Sequence, residues 1–127
     1  MCGNLFAHAS FASFPYTDTL KILEKFGPGC RFFGHAREED INTLEEQLAD
    51  PAQDRILAVF CEFPSNPLLR SSNLRQLRTL ADRYGFAIVV DATLGGFSDI
   101  EILPFVDAVV ASLTKFSSGD CNVMGGW

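Results

Sequence analysis

The sequence of 127 residues predicts an α/β fold, in which helices cover a mostly parallel sheet. Three segments of strand length are apolar at nearly every position: 55–63 (RILAVFCEF), 86–91 (FAIVVD) and 107–113 (DAVVASL). Continuous apolar runs are typical of strands that are buried on both faces, as in a parallel sheet between two layers of helices. The segment 71–85 (SSNLRQLRTLADRYG) has helical spacing and lies between the first two runs, which is the order of a β-α-β unit.

The remaining elements follow from the same periodicities. Residues 15–29 (PYTDTLKILEKFGPG) predict a short helix that stops at Gly-Pro-Gly, with Thr17 or Asp18 as its N-cap. Residues 30–35 (CRFFGH) predict a strand, and residues 38–50 (EEDINTLEEQLAD) predict an amphipathic helix with an acidic first turn. We expect the following residues to face inward: Leu20, Leu23 and Phe26 in the first helix, Ile41, Leu44 and Leu48 in the second, and Leu74, Leu77, Ala81 and Tyr84 in the third, which Gly85 terminates.

Composition and charge restrict the function classes. The hydrophobic content of 47% with 20% charged residues is typical of a globular protein, and the net charge of −6 provides no basic surface for nucleic acid or an anionic membrane. No apolar run approaches the roughly 20 residues of a membrane span, and the start lacks the basic region of a secretory signal, so we expect a cytoplasmic location. Cys2, Cys30, Cys61 and Cys121 lack metal-ligand spacing, so we expect them to be reduced and mostly buried, with no metal site.

The ends of the predicted strands carry polar residues. Asn66 follows the first run, Asp91 ends the second, and Ser112, Thr114 and Lys115 follow the third. Ligands of open α/β sheets bind at the carboxyl ends of the strands, so these side chains are expected to face one crevice. Taken singly, Asp91 is better explained as a helix cap or ion-pair partner, and the alternative for Lys115 is a surface lysine past a strand end. One ligand that explains the whole set weakens both alternatives.

Pyridoxal 5′-phosphate (PLP) is the ligand that such a set suits. Its aldehyde requires a lysine amine, its ring nitrogen requires a carboxylate that keeps it protonated, and its phosphate requires hydroxyl and backbone donors. Lys115 and Asp91 supply the first two groups, and Ser112 and Thr114 supply part of the third. We expect Lys115 to end a buried strand, with its stem packed where water is scarce. A dinucleotide site is set aside because no G-x-G-x-x-G follows a strand.

Three motifs carry a resemblance to a known family: EFPSNPLL (62–69), IVVDATLGGF (88–97) and VVASLTKFSSGDCNVMGGW (109–127). With these motifs, the stretch from about Phe14 to Gly126 resembles the central part of the Cys/Met-metabolism family of PLP enzymes, and it is most similar to the fungal cystathionine γ-synthase branch. The resemblance implies a partial doubly wound, mostly parallel sheet, as in the large domain of fold-type I PLP-dependent transferases. It also implies a non-matching N-terminal segment at 1–13 and a partial PLP-binding large domain at 14–127.

The resemblance also implies roles for six residues. Lys115 is the catalytic residue that forms the Schiff base with the cofactor, and Asp91 pairs with the pyridine nitrogen. The other implied cofactor-binding residues are Ser112 and Thr114 at the phosphate, Asn66 near the 3-hydroxyl, and Thr93 beside the ring. Tyr16 lies in FPYTDT, which is not the ring-stacking motif, and receives no such role. The implied partners are an amino-acid substrate (a homoserine ester, cysteine or cystathionine) and further copies of the same chain.

The sequence leaves two functional hypotheses open. The first is a transsulfuration enzyme that performs γ-replacement or γ-elimination on O-activated homoserine or cystathionine. Family members are about three times longer, however, and their Gly-rich phosphate-binding turn, ring-stacking Tyr and substrate-binding Arg have no counterpart in this sequence. We therefore expect a fragment that is inactive by itself. The second hypothesis is a non-catalytic remnant that keeps the sheet without turnover.

Overall fold

The computed structural model describes residues 8–11, 16–27, 29–96 and 101–127, with only the backbone of 8–11. The elements are β1 (His8–Phe11), α1 (Thr17–Phe26), β2 (Cys30–Phe32), α2 (Glu38–Ala49), β3 (Ile56–Glu62), α3 (Leu74–Tyr84), β4 (Ala87–Asp91) and β5 (Ala108–Val110). In this part of the chain the strands form one five-stranded sheet in the order β2-β1-β3-β4-β5. All neighbouring strands are parallel, so the predicted α/β class is confirmed.

Strands β3 and β4 form the centre of the hydrophobic core. They pair in continuous register from Ala58 opposite Ala87 to Glu62 opposite Asp91. Val59, Ile88 and Val90 are fully buried, and Leu44 of α2 and Leu77 of α3 belong to the same core. Each fully buried side chain of this size contributes about 2 kcal/mol relative to an exposed one. In β4, and in β3 from Val59 onward, buried residues alternate with partly buried ones, and Leu57 of β3 is 46% exposed. The expected burial of both faces of these strands is therefore met on one face only.

Helix α3 ends where its sequence predicts, and it begins at Leu74, three residues inside the predicted segment 71–85. The side chain of Asn73 caps the first turn by accepting a 3.3 Å hydrogen bond from the backbone N–H of Gln76. Gly85 follows the last turn with a φ of 73°, a left-handed conformation that glycine adopts without strain. Leu74, Leu77 and Ala81 are buried and Tyr84 packs against the core, as expected. In α2, Ile41 and Leu44 are buried and Leu48 packs beside them, which is also as predicted.

Helix α1 ends at Phe26 with Gly27 as its C-cap, as predicted, but it differs from the prediction in its N-cap and in the exposure of its last residue. Its N-cap is Tyr16 rather than Thr17 or Asp18, because the backbone N–H of Tyr16 is held by the carboxylate of Glu62. Phe26 was expected to face inward but is 84% exposed. The reason is that α1 packs against β2, a short strand at the edge of the described sheet that offers little surface to cover a helix. Pro28 of the predicted stop lies outside the described residues.

Three strands also differ from the prediction. Strand β2 ends at Phe32 rather than at residue 35. The pattern indicated no strand before residue 14, yet β1 lies between β2 and β3 and pairs with both. Strand β5 ends at Val110 rather than at residue 113, because the chain turns away and Ser112 forms an isolated antiparallel bridge with Gly126. A short turn (Leu113–Ser117), called the π turn below, then follows, and its backbone is kinked at Lys115, where φ is −83° and ψ is −107°.

Asp107 fixes the start of β5 to its neighbours. Its carboxylate oxygen Oδ2 accepts a 2.7 Å hydrogen bond from the backbone N–H of Ile88 in β4 and a 3.0 Å bond from Arg78 in α3. The bond from the Ile88 N–H, aided by Arg78, holds the pKa of Asp107 below its ordinary value. One side chain therefore connects α3, β4 and β5 on the side of the sheet opposite the strand ends.

The cysteines are less buried than expected. Among the three that the structure describes, Cys61 is buried, Cys30 is partly exposed and Cys121 is exposed, and all three are free thiols. Cys2 lies outside the described residues. Burial raises the pKa of the Cys61 thiol to about 12, so this thiol is protonated at neutral pH. In the described ranges there is neither a His, Cys, Asp and Glu cluster suited to a metal ion nor a helix long and apolar enough to cross a membrane.

Candidate functional site

A cavity of about 630 Å³ opens where β3, β4 and β5 end. Its size lies within the range that small-molecule sites usually have. Each strand end contributes polar lining: Glu62 and Asn66 at the end of β3, Asp91 and Thr93 at the end of β4, and Ser112 and Lys115 beyond β5. Carboxyl ends of parallel strands meet at one edge of the sheet, so residues separated by up to 53 positions in sequence share this cavity.

Asp91 is held by backbone bonds on both sides. Its carbonyl accepts a 2.9 Å hydrogen bond from the N–H of Phe63, which follows β3. Its side-chain oxygen Oδ1 accepts a 2.9 Å bond from the N–H of Thr93, two residues later. A turn of this kind is typical of Asp at the end of a strand. The carboxylate of Asp91 is therefore fixed at the cavity by its own local backbone.

Thr93 connects the ends of β4 and β5. Its Oγ1 accepts a 2.8 Å hydrogen bond from the backbone N–H of Ser112. Ala92, the residue between Asp91 and Thr93, is buried and donates its N–H to Val110 at 2.9 Å. These two bonds hold the segment that leads to Lys115 beside the loop that carries Asp91.

Lys115 lies in the π turn, five residues beyond the end of β5. The base of this loop is closed by backbone bonds: Leu113 donates to Gly125 at 3.0 Å, and Ala111 and Trp127 exchange bonds of 3.1 and 3.2 Å. The Lys115 side chain lines the cavity and is exposed. The expectation that Lys115 ends a buried strand with a shielded stem was wrong, because the chain leaves the sheet before it reaches the lysine.

Five of the six residues proposed from the sequence line this one cavity: Asn66, Asp91, Thr93, Ser112 and Lys115. Thr114 is half-buried and is not among the lining residues. The geometry thus brings the proposed amine and carboxylate together, while the roles of the individual residues stay predictions. The phosphate role of Thr114 rests on the resemblance alone.

The cavity also contains residues that the sequence pattern did not single out. Glu62, Tyr16 and Phe116 are all part of its lining. A signal for Glu62 was present, since it is the only acidic residue in the apolar run 55–63 and ends a buried strand. No local signal could have indicated Tyr16, because it reaches the cavity through a bond to Glu62, which lies 46 residues later.

The electrostatics of the cavity are dominated by two carboxylates. Glu62 and Asp91 occupy paired positions in the parallel ladder of β3 and β4. Burial raises the pKa of Glu62 above its ordinary value and the charge of Asp91 adds to this, while hydrogen bonds from the N–H groups of Asn66 and Tyr16 oppose the rise. Lys115 is the single Lys or Arg among the described residues that line the cavity.

The residues present suit PLP. PLP requires an amine for its aldehyde, a carboxylate for its ring nitrogen and donors for its phosphate. The cavity lining contains one group of each kind, in Lys115, Asp91 and Ser112. All three belong to one cavity at the carboxyl ends of a parallel sheet. Fold and site together define an α/β protein with a crevice for a carbonyl cofactor.

Comparison with known proteins identifies the family. The sequence pattern described as "Cys/Met metabolism PLP-dependent enzyme" matches residues 16–127. A cystathionine γ-synthase from Neurospora crassa is 57% identical over 114 residues, which cover 89% of this chain and 18% of the fungal protein. The chain therefore belongs to the Cys/Met metabolism family of PLP-dependent enzymes. It spans about a fifth of the length of the curated relatives that it matches.

Solved structures show the same fold. A cystathionine γ-synthase from Xanthomonas oryzae pv. oryzae, in complex with aminoacrylate and cysteine, has a TM-score of 0.74 and 26% identity, covering 94% of this chain and 30% of the bacterial chain. A Campylobacter jejuni structure described as an O-acetylhomoserine (thiol)-lyase carries a pyridoxyl-lysine phosphate. It has a TM-score of 0.78 and 24% identity over 94% of this chain and 29% of its own length. The latter likeness shows the fold alone.

Proposed function

We propose that this chain is the cofactor-binding part of a PLP-dependent transsulfuration enzyme similar to cystathionine γ-synthase. The proposed reaction is γ-replacement or γ-elimination on O-activated homoserine or cystathionine. The observation that carries the proposal is that Asp91 and Lys115 line one cavity at the end of a parallel sheet, in a chain of a PLP-dependent family. The complex of the Xanthomonas oryzae enzyme with aminoacrylate and cysteine supports an amino-acid substrate.

The roles of the residues follow from the chemistry of the cavity. Bound PLP supplies a reactive aldehyde and a ring that withdraws electrons from the substrate α carbon. Nζ of Lys115 would hold the cofactor at its aldehyde carbon and would carry the proton at the substrate α carbon. The carboxylate of Asp91 holds a proton on the ring nitrogen. Its bond from the Thr93 N–H fixes the direction of that carboxylate.

The remaining assignments concern binding and orientation. Ser112 donates its hydroxyl to the phosphate, Asn66 orients the 3-hydroxyl, and Thr93 lies beside the ring. Thr114 is proposed as a phosphate ligand on the family resemblance. Residues 14–127 are proposed as part of the large PLP-binding domain and 1–13 as a segment without a family counterpart, although β1 (His8–Phe11) of that segment pairs with β2 and β3 in the same sheet. The match of the family pattern to residues 16–127 supports this division. A homo-oligomeric assembly and a cytoplasmic location are proposed on the resemblance and on the composition.

A second candidate function is a non-catalytic chain that keeps the sheet without turnover. The exposure of Lys115 favours it, together with the lack of a second Lys or Arg among the described lining residues. A cofactor phosphate and a substrate carboxylate both require cationic or dipolar partners, and one lysine cannot serve both while it holds the aldehyde. We therefore propose that this chain binds PLP weakly and shows no steady turnover by itself.

Covalent trapping tests the proposal directly. The purified chain is mixed with excess PLP, reduced with borohydride and digested, and the pyridoxyl group is located by mass spectrometry. We expect the label on Lys115, and before reduction we expect a visible absorbance band from the lysine-bound cofactor. Both the label and the band should be lost in Lys115→Ala. Lys25→Ala, in the last turn of α1, is the matched control and should keep both signals.

Two outcomes contradict the proposal. A label on Lys21 or Lys25 in place of Lys115 refutes the assignment of the cofactor lysine. A chain with a folded circular dichroism spectrum but neither an absorbance band nor a label supports the non-catalytic candidate.

A further inference from the structure

Glu62 joins two separate walls of the cavity. It is the last residue of β3, and its side chain is half-buried at the cavity. Its Oε1 accepts a 2.6 Å hydrogen bond from the backbone N–H of Tyr16, the residue that precedes α1. Its Oε2 accepts a 3.2 Å bond from the backbone N–H of Asn66, in the loop after β3. One carboxylate thus ties the start of α1 to the loop that carries Asn66.

Both bonds depend on the negative charge of Glu62. A carboxylate offers acceptor positions on both oxygens, whereas a protonated carboxyl group carries a donor on one of them. Hydrogen bonds from backbone N–H groups to a carboxylate are stronger than those between neutral groups. Protonation or amidation of Glu62 therefore weakens the contact with Tyr16 or with Asn66.

The position of Glu62 also affects the ligand that the cavity accepts. Glu62 and Asp91 are paired across β3 and β4, so two acidic side chains lie at adjacent strand ends in one cavity. Two neighbouring carboxylates repel each other, and a positive charge on a bound ligand relieves that repulsion. The cavity thus favours a ligand that carries a proton where it faces Glu62 and Asp91 over a ligand that is neutral at that position.

We propose that Glu62 is a positioning residue of the cofactor site, which holds Tyr16 and Asn66 at the cavity and adds its charge to that of Asp91 in favour of a protonated ligand. The effect of the Glu62 charge on the ligand rests on the proposed function, whereas the positioning of Tyr16 and Asn66 concerns the chain alone. Glu62 acts through Asn66 and Asp91 and does not itself take part in bond making.

The contact with the two backbone groups is tested by NMR on the full chain without cofactor. The amide protons of Tyr16 and Asn66 should shift together with pH, with a midpoint above that of an ordinary Glu because burial and Asp91 raise the pKa of Glu62. The other ionisable side chains of the described lining are Tyr16, Asp91, Lys115 and Cys121. Glu62→Gln should abolish this common titration, and Asp91→Asn should lower its midpoint.

A control variant separates this effect from a general change of charge. Glu46→Gln removes a carboxylate on the exposed face of α2, so the titration of Tyr16 and Asn66 should be unchanged. If the amides of Tyr16 and Asn66 titrate in Glu62→Gln as in the wild type, the positioning role is overturned. Amide shifts report on the contact even if a variant is less stable, because they are measured at a temperature where each variant is folded.

The charge effect is tested by titration with PLP, followed by absorbance. We expect Glu62→Gln to weaken PLP binding about tenfold. The visible absorbance of the lysine-bound cofactor changes with pH, and we expect the pKa of that change to be lower in Glu62→Gln by about half a unit or more. Glu62→Asp retains the charge and should restore the pKa, although its shorter side chain cannot contact both N–H groups. A pKa that is equal in wild type and Glu62→Gln overturns the charge effect. Failure of the wild type to bind PLP overturns the proposed function instead, and the NMR titration still decides the positioning role.

Discussion

The backbone N–H of Ser112 donates a 2.8 Å hydrogen bond to Oγ1 of Thr93, and this bond joins the segment that leads to Lys115 to the loop that follows Asp91 at the end of β4. The N–H of Thr93 in turn donates to Oδ1 of Asp91 at 2.9 Å. The carboxylate, the threonine and the lysine-bearing loop are therefore connected through two consecutive hydrogen bonds. A disturbance at Thr93 changes the position of both groups that are proposed to hold the cofactor.

Replacement of Thr93 by valine tests this connection. Valine has nearly the same shape but no acceptor, so the partly buried N–H of Ser112 loses its partner, at a cost of about 1 to 2 kcal/mol. We expect a lower free energy of unfolding by this amount and less PLP trapped on Lys115. Thr43→Val removes a hydroxyl that bonds the carbonyl of Glu39 on the exposed face of α2 and should leave trapping unchanged. Equal trapping in both variants would show that Thr93 does not position the lysine loop.

Asp91→Asn is expected to separate cofactor binding from turnover. Asparagine retains Oδ1 as acceptor for the Thr93 N–H, so the local turn is preserved. It lacks the negative charge that is proposed to keep the ring nitrogen protonated, and loss of such an electrostatic contribution is expected to lower kcat by about 100-fold or more. The measurement is kcat and PLP affinity in a longer protein that contains this sequence and turns over substrate. Turnover equal to that of the wild type would refute the role of Asp91.

Asp107 should make the stability of the chain depend on acid pH. Its pKa is lowered in the folded state from the ordinary value of 3.8, mainly by the Ile88 N–H. The stabilisation from its charge is therefore fully present above about pH 4 and is lost as the pH falls through the lower, folded-state pKa. Because the Asp107 side chain is 46% exposed, solvent screens its charge, so Asp107→Ala should cost about 1 kcal/mol or less at pH 7, and the difference from wild type should shrink toward pH 3. Chemical unfolding at both pH values checks this, with Glu46→Gln as the control.

The elements that could be predicted from the sequence are those whose pattern is local. The helix α3 has a cap at Asn73, an apolar face and a terminating Gly85, all within one short segment. Strand β1 could not be predicted, because HASF is short and half polar and its central place results from pairing with β2 and β3. The orientation of Phe26 was mispredicted for a similar reason: periodicity identifies the apolar face of a helix but not whether another element covers it.

The same distinction applies to the candidate site. Asp91 and Ser112 were predictable as neighbours, because they follow apolar runs and parallel strands end at one edge of the sheet. The contribution of Glu62 depends on a bond to Tyr16, which precedes it by 46 residues, and no local pattern encodes that contact. Thr114 shares the motif of Lys115, but its place in the π turn does not bring it to the cavity lining.

The chain is expected to associate with itself in solution. Large apolar side chains are exposed on several elements, with Phe26 in α1, Leu103 before β5, Phe116 in the π turn and Met124 near the end of the described chain. Exposed apolar surface of this kind and open edges of a parallel sheet both favour contacts between molecules. Sedimentation equilibrium should show an average mass that rises with concentration. Phe26→Gln and Met124→Gln should each reduce that rise, whereas Glu46→Gln should not. A monodisperse monomer with a cooperative thermal transition would contradict this prediction, since it would show that the exposed side chains do not bring molecules together.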